Sequence, residues 1–225
     1  AGGLRKGKTP TAMLDLLDRA RSLSGMTLPE LARAAAMPMP DDLGRHKGFV
    51  GRAVESALGL EVRTAPGPDL PGLELKTLPV ALRDGLPRSV ESTFVCTVPR
   101  DGLEGPWEGS APHAKLARVL FVPVEASGAA AARRIGTPFL WSPSHEDEAR
   151  LQADWDLLTG ELALRGHERI SARLGLVLQV RPKARDARSR GLGRDDSGAL
   201  SRTLPRGFYL RRAFTTELLQ RSGLC

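Results

Sequence analysis

The 225-residue sequence predicts an α/β fold of the α+β kind, a mixed sheet flanked by helices. Three observations lead there. The first sixty residues carry helical periodicity and helix caps, with no strand-like alternation. From about residue 72 to residue 141, apolar runs are separated by Pro/Gly turns in the manner of strands. A long amphipathic segment and a final strand–helix pair complete the chain. A hydrophobic fraction of 41% can build one core, and the length suits one domain with an attached lobe better than two domains. With 26% charged residues and that apolar content, a disordered chain is excluded.

The elements follow in order. A helix is expected over 10–24, where Thr9 can cap, Pro10 suits the first turn, and Met13, Leu14, Leu16, Leu17 and Ala20 form a stripe. Thr27 with Glu30 is a capping box for a second helix to about Met37, and residues 38–42 form a linker. A third helix fits 47–58, with Phe49, Val50, Ala53, Val54, Ala57 and Leu58 apolar and Gly59 as its stop. Strands are expected near 72–79, 90–98, 117–124 and 135–141. Ser144 and Asp147 cap a helix through about Leu164 that lines up Leu151, Trp155, Leu158 and Leu162. A short helix near 167–173, a strand at 175–181, a strand at 207–211 and a helix at 214–222 follow.

Charge is unevenly placed. The chain carries 33 basic and 26 acidic residues, a net of +7. Residues 181–212 hold ten basic side chains against Asp186, Asp195 and Asp196, so that window alone is +7 and the remainder is neutral. An arginine-rich excess of this kind suits a polyphosphate partner, because guanidinium groups bind phosphate in bidentate fashion. Arg188, Arg190 and Arg194, in the middle of the window, are candidate phosphate contacts; a solvated basic loop is the other reading. No apolar run is long enough to cross a membrane, and no signal-type stretch follows the basic start. Cys96 and Cys225 are too few for a disulfide framework and are expected to be free thiols, which points to the cytoplasm. His46, His113, His145 and His167 lack metal-ligand spacing, and there is neither a phosphate-binding glycine loop nor a Gly-x-Ser-x-Gly elbow.

The stretch from Pro66 to Thr77 carries the chemistry. Alternation along a strand puts Glu74 and Lys76 on one face, while Leu73, Leu75 and Leu78 can enter the core. A carboxylate and an ammonium on a half-buried strand are costly to desolvate unless they serve each other or a third group. Asp69 ends the turn before the strand. Asp69, Glu74 and the carbonyl of Leu75 make an oxygen set for a hard cation such as Mg²⁺. Lys76 can orient the attacking water or offset transition-state charge. Glu55, beside Val54, Ala57 and Leu58, is a candidate third carboxylate. Taken alone, Asp-x4-Glu-x-Lys also fits a surface ion pair, and Glu55 a helix-edge residue.

The whole set of segments resembles the Sau3AI/MutH family of DNA nucleases. The similar blocks are Lys47–Gly51 with Glu55; Asp69 with Leu73–Thr77; Glu91–Cys96; Lys115-Leu116 with Arg118–Leu120 and Val122–Glu125; Leu140–Pro143; Val180–Lys183; and Leu204–Leu210. The resemblance implies a restriction-endonuclease-like core, a two-lobed clamp around a DNA cleft. Residues 1–225 would form a single endonuclease domain, with a catalytic lobe near 10–105 and a DNA-reading lobe near 106–225. It implies nicking of the unmethylated strand 5′ to the G of hemimethylated GATC in double-stranded DNA, as part of mismatch repair. It also implies a monomer that needs Mg²⁺ (with Mn²⁺ able to substitute), is activated by the MutL protein and has no membrane partner.

The roles carry over residue by residue. Asp69 and Glu74 would bind metal, Lys76 would position water, Glu55 would support the metal site, and Lys115 would contact the scissile region. Lys47 and Gly48 would grip backbone phosphate; Arg181, Pro182, Lys183 and Tyr209 would face the bases or their phosphates. The turn from Asp69 to Glu74 is shorter than in the better-known members. Tyr209, the only tyrosine, follows Gly207, which is expected to turn the backbone sharply. Phe208 is assigned to the core and Tyr209 to the DNA face, where the resemblance places it at the adenine, so that an N6-methyl group would clash. Two other functions remain open: a GATC-specific type II restriction enzyme cutting both strands, and a non-catalytic DNA-binding module.

Overall fold

The computed structural model describes residues 9–46, 48–60, 72–99, 105–183, 191–194 and 200–223, with 9–12, 167–168, 191–194 and 200–203 described as backbone only. The helices are α1 (Thr9–Ser22), α2 (Leu28–Ala34), α3 (Phe49–Ala57), α4 (Ala111–Leu116), α5 (His145–Arg169) and α6 (Arg212–Arg221). The strands are β1 (Glu74–Arg83), β2 (Leu86–Ser89), β3 (Thr93–Thr97), β4 (Val119–Glu125) and β5 (Phe139–Trp141). They continue as β6 (Leu178–Pro182), β7 (Gly191–Arg194), β8 (Leu200–Thr203) and β9 (Arg206–Leu210). Strand order is β2-β1-β4-β5 in one sheet and β3-β9-β6 in another, with β7-β8 as a separate hairpin. This is the expected mixed α/β fold, consistent with a restriction-endonuclease-like core. The chain divides into two compact units.

The first unit comprises Ala1–Ala65, Leu75–Ala81 and Leu120–Leu140. The capping box of α2 forms as expected: the N–H of Thr27 donates to the Glu30 carboxylate at 2.7 Å, and Thr27 Oγ1 accepts from the N–H of Glu30 at 3.4 Å. Helix α3 buries Phe49, Ala53 and Val54, and Leu58 follows them inside before Gly59 leaves the helix at φ 66°. Two side chains tie the helices by backbone carbonyls. Arg19 Nη1 donates to the carbonyl of Leu58 at 2.7 Å, and Ser56 Oγ donates to that of Ala35 at 3.0 Å. Strand β4 is buried from Val119 to Val124, as a central strand must be.

The second unit comprises Pro66–Glu74, Leu82–Val119 and Trp141–Cys225. Its core is the stripe Leu151, Trp155, Leu158 and Leu162 of α5 against one face of β3-β9-β6, where the Trp155 and Phe208 rings lie 5.4 Å apart. Strand β9 pairs antiparallel with both neighbours, Phe208 opposite Val180 and Tyr209 opposite Gln179. Alternation therefore sends Leu178, Val180, Phe208 and Leu210 inward, all buried, and leaves Gln179, Arg181 and Tyr209 on the other face. Asp154 of α5 is also buried. Its Oδ2 accepts the N–H groups of Leu176, Val177 and Leu178 at 2.9, 2.6 and 2.8 Å, which pins the start of β6. The N-terminus of α5 carries the expected Ser144–Asp147 box. The Asp147 carboxylate also accepts from Trp141 Nε1 at 3.2 Å and from Arg221 Nη2 at 2.8 Å, joining α5 to α6.

Several expectations are corrected. In α1 the buried positions are Leu16 and Ala20, followed by Leu23 just past its end, while Leu14 is 61% exposed, because one face of a helix is narrower than the five-residue stripe suggested. Helix α2 stops at Ala34. Helix α4 and the Asp84-Gly85 hairpin that opens β2 were not expected; both are shorter than the windows in which periodicity shows. Within α5 a non-helical Gly166 (φ 72°, ψ 174°) separates the long helix from a short helical piece, so the short helix expected at 167–173 is present but ends at Arg169. Strands β7 and β8 form inside the basic window, which had been read as loop. Gly207 makes no sharp turn: it lies within β9 and is buried.

Two outcomes test this packing. Asp154→Ala takes the acceptor from the N–H groups of Leu176, Val177 and Leu178, the last two in buried bonds, and urea denaturation should show a loss of about 3 kcal/mol or more. A loss below about 1 kcal/mol would mean that water replaces the carboxylate. For Asp147, burial alone would raise the pKa, but hydrogen bonds from Arg221, Trp141 and the Ser144 N–H, with the Arg221 charge, hold it below the usual carboxylate range. A depressed folded value means that its stabilisation is complete above about pH 4 and fades as pH falls below that. Arg221→Gln should therefore lower Tm at neutral pH, with the gap to wild type narrowing below about pH 4. A gap that is constant down to pH 2 sinks the assignment.

Candidate functional site

Glu74 opens β1 and is 1% exposed. Its N–H donates to the carbonyl of Arg118 at 3.0 Å, which fastens the strand at the carboxylate itself. Facing it is Lys115, in the last turn of α4. Lys115 Nζ donates to both carboxylate oxygens of Glu74, at 2.9 and 3.0 Å. Helix α4 is short, and side chains hold it in place. Ser110 Oγ caps it by accepting the N–H of His113 at 3.2 Å, and Pro112 and Leu116 are buried. The buried Trp107 packs edge-on against His113 with ring centroids 5.3 Å apart and donates its indole N–H to Glu148. The result is a buried carboxylate neutralised by one ammonium that is itself only 18% exposed.

Leu75 and Lys76 follow Glu74 along β1, Leu75 buried and Lys76 half-buried; Glu74 and Leu75 are buried together, so burial does not alternate here as the sequence suggested. Leu73 and Leu78 are buried as well, so the expected apolar frame around the Glu-x-Lys pair is present. Glu55 lies on α3 and is half-buried. Gly48 is the N-cap of α3 at φ 84°, a left-handed conformation that suits glycine. Among the described residues no three His, Cys, Asp or Glu side chains come together as a metal site. The expected set includes Asp69, which lies outside the described residues. On chemistry the residues fit a hard divalent cation: Glu74 and the Leu75 carbonyl are oxygen donors, and the buried carboxylate already requires a positive charge beside it.

A second cluster forms on the outer face of β3-β9-β6. Phe94 on β3 pairs with Tyr209 on β9, and their rings meet edge to face at 5.3 Å and 64°. Lys183 Nζ sits 4.7 Å above the Phe94 ring and donates to Thr97 Oγ1 at 3.0 Å. The Arg181 guanidinium lies 5.8 Å over the Tyr209 ring. Burial raises the pKa of the Tyr209 phenol and the Arg181 charge opposes it; the net shift is upward, so the hydroxyl stays protonated at neutral pH. Gln179, 5% exposed, donates to Ser92 Oγ at 2.7 Å beside them. Arg181, Pro182 and Lys183 are exposed.

The structure thus brings Glu74 to Lys115, Arg181 to Tyr209, and Lys183 to Phe94. Phe208 is fully buried and Tyr209 half-buried, the division expected from alternation. Lys47, Asp69, Arg188 and Arg190 lie outside the described residues, and Arg194 is placed as backbone on β7. Phe94, Thr97 and Gln179 belong to the second cluster although the sequence reading gave them no role. Alternation alone would put Phe94 and Thr97 on opposite faces; the slip between Phe94 and Cys96 puts them on one, and the β3-β9-β6 register brings that face to Gln179 and Tyr209.

A family model described as "DNA mismatch repair enzyme MutH" matches residues 58–154, which include Glu74, Lys76 and Lys115. The DNA mismatch repair protein MutH of Pectobacterium atrosepticum is 46% identical over 211 residues, 92% of this chain and 90% of that protein. The protein of the same name from Salmonella typhimurium is 46% identical over 220 residues, 96% of this chain and 94% of that protein. With a relative of that identity along almost its whole length, the chain belongs to the MutH family of DNA mismatch repair enzymes.

Proposed function

We propose that this chain is a Mg²⁺-dependent, methyl-sensitive DNA endonuclease that nicks the unmethylated strand 5′ to the G of hemimethylated GATC and is activated by MutL. The observation that carries the reading is the buried Glu74 carboxylate held by Lys115 at the start of the strand that also carries Lys76. Glu74, Asp69 and the Leu75 carbonyl would hold Mg²⁺, with Glu55 in support. Bound there, the ion would polarise the scissile phosphate and acidify a water. Lys76 would orient that water for in-line attack. Lys115 would offset the developing phosphate charge from its place beside Glu74, a donor already held in position before the reaction. Lys47 and Gly48 would hold backbone phosphate, as would the arginines Arg188, Arg190 and Arg194.

On the second cluster, Arg181, Pro182, Lys183 and Tyr209 would read the GATC site. The phenol would pack against the adenine N6 amine in the major groove, where a methyl group on the cut strand has no room. The chain would act as a cytoplasmic monomer on double-stranded DNA, with most catalytic residues in about 10–105 and the DNA readers in about 106–225.

A plasmid with one GATC site, offered with Mg²⁺ in unmethylated, hemimethylated and fully methylated forms, tests the reading. Nicking of hemimethylated plasmid, accelerated by MutL with ATP, is expected. Cleavage of both strands without a partner would indicate a restriction enzyme, and no reaction a DNA-binding module.

Glu74→Ala should abolish nicking while DNA affinity stays within roughly tenfold of wild type, since phosphate contacts elsewhere remain. Lys115→Met removes the ammonium that faces the buried Glu74 carboxylate, so it should cost about 3–5 kcal/mol of stability, most of it recovered in Glu74→Gln with Lys115→Met. Equal instability of the single and double variants contradicts the pairing. Tyr209→Ser should blur the rate ratio between unmethylated and hemimethylated duplexes at fixed salt; an unchanged ratio in a folded variant returns Tyr209 to a packing role.

A further inference from the structure

Gly207 sits in the middle of β9, buried, with no positive φ to explain a glycine. What the position lacks is room. A Cβ built there would lie 2.7 Å from Cε2 and 3.2 Å from Cδ2 of Phe94, and 3.1 Å from the carbonyl oxygen of Cys96. Side-chain carbons essentially never approach within 3.0 Å, and the Cys96 carbonyl, being backbone, closes the other way out.

The register explains the crowding. Between Phe94 and Cys96 the β3-β9 ladder slips, so Phe94 pairs with Tyr209 while Thr97 pairs with Gly207. A bulge of this kind bends its strand and re-aims the flanking side chains. Here it lays the Phe94 ring across the bare backbone of Gly207. From that seat the ring presents its face to Lys183 Nζ at 4.7 Å and meets the Tyr209 ring edge to face at 5.3 Å.

We propose that Gly207 is a positioning residue for methyl sensing: its missing side chain seats Phe94, and Phe94 in turn sets the tilt of Tyr209 and the place of Lys183. This rests on the reading of the Tyr209 face as the DNA reader. A steric test for one methyl group needs a ring held to within a fraction of an ångström, because a misplacement of about 1 Å can change rates roughly a hundredfold. Tyr209 is only half-buried and cannot be held by the core alone. Its neighbours within the sheet must hold it, and Phe94 is the aromatic one.

Tyr209 is the only tyrosine, so protein grown with 3-fluorotyrosine gives a single ¹⁹F resonance that reports this ring. Four proteins are compared: wild type, Gly207→Ala, Phe94→Leu and the double variant. Gly207→Ala should shift the resonance and reduce discrimination between unmethylated and methylated strands roughly tenfold. Phe94→Leu should do likewise, having removed the ring from the other side. In the Phe94→Leu background, Gly207→Ala should add less than about a twofold further change, because the displaced ring is already gone. Equal, additive effects in both backgrounds, or an unmoved resonance in Gly207→Ala, overturn the proposal. If Gly207→Ala does not fold, recovery of folding in the double variant supports the steric contact, and a double variant that is equally unfolded refutes it. The resonance needs no DNA. A wild-type protein that nicks no GATC plasmid therefore sinks the DNA-reading assignment and with it methyl sensing, while the pattern of shifts still decides whether Gly207 sets Tyr209 through Phe94.

Discussion

Asp154 takes the N–H groups of Leu176, Val177 and Leu178 onto one buried carboxylate, and β6 begins at the last of them. Much of the second unit hangs on that point. Strand β9 takes its register from β6, β3 takes its own from β9, and the outer face of the three strands is what gathers Gln179, Arg181, Tyr209 and Phe94. A charge is the right device for the task, because bonds to an ionised acceptor are stronger than neutral ones and three donors fix a direction as well as a distance. A one-residue slip at β6 would exchange its inner and outer faces, sending Arg181 toward the core and Val180 toward solvent.

Glu74 and Lys115 are a different use of buried charge. Both lose hydration, and a buried ion pair commonly returns little net stability compared with apolar side chains of the same shape. Asp154 has a structural reason to be charged, since backbone donors need an acceptor; Glu74 faces an ammonium, that of Lys115. The pair joins a carboxylate fixed at the start of β1 to an ammonium on a short helix held by Trp107, Glu148 and Ser110. Placing the charges on rigid elements limits their rearrangement during reaction.

Helices α5 and α6 are joined by a polar network rather than by apolar contact alone. Arg150 reaches Glu217 at 3.0 Å, Arg221 reaches Asp147 at 2.8 Å, and Trp141 both donates to Asp147 and packs its ring against Phe214 at 5.9 Å. Pairs of this sort contribute modestly when exposed and more where one partner is buried, as Asp147 is. Their directionality matters here, because α6 follows β9 after a single residue, so the helix inherits its position from the strand that carries Tyr209.

The sequence by itself determined the helices with strong caps and long periodicity. Thr27 with Glu30 and Ser144 with Asp147 mark helix starts through local hydrogen bonds, and Leu151, Trp155, Leu158 and Leu162 share a face at any tertiary arrangement. The split between Phe208 and Tyr209 was legible because alternation is a property of the strand alone, whereas β1 buries Glu74 and Leu75 together and departs from alternation there. Other features belong to the tertiary structure. Lys115 and Glu74 are 41 residues apart, and nothing local says that α4 delivers one to the other. Phe94 meets Tyr209 only because β3 pairs with β9 through a bulge, and Gly207, which in sequence suggests a turn, is a glycine because of the ring laid across it. Local hydrogen bonds and periodicity are written in neighbouring residues, whereas register and close approach are set by which distant surfaces pack together.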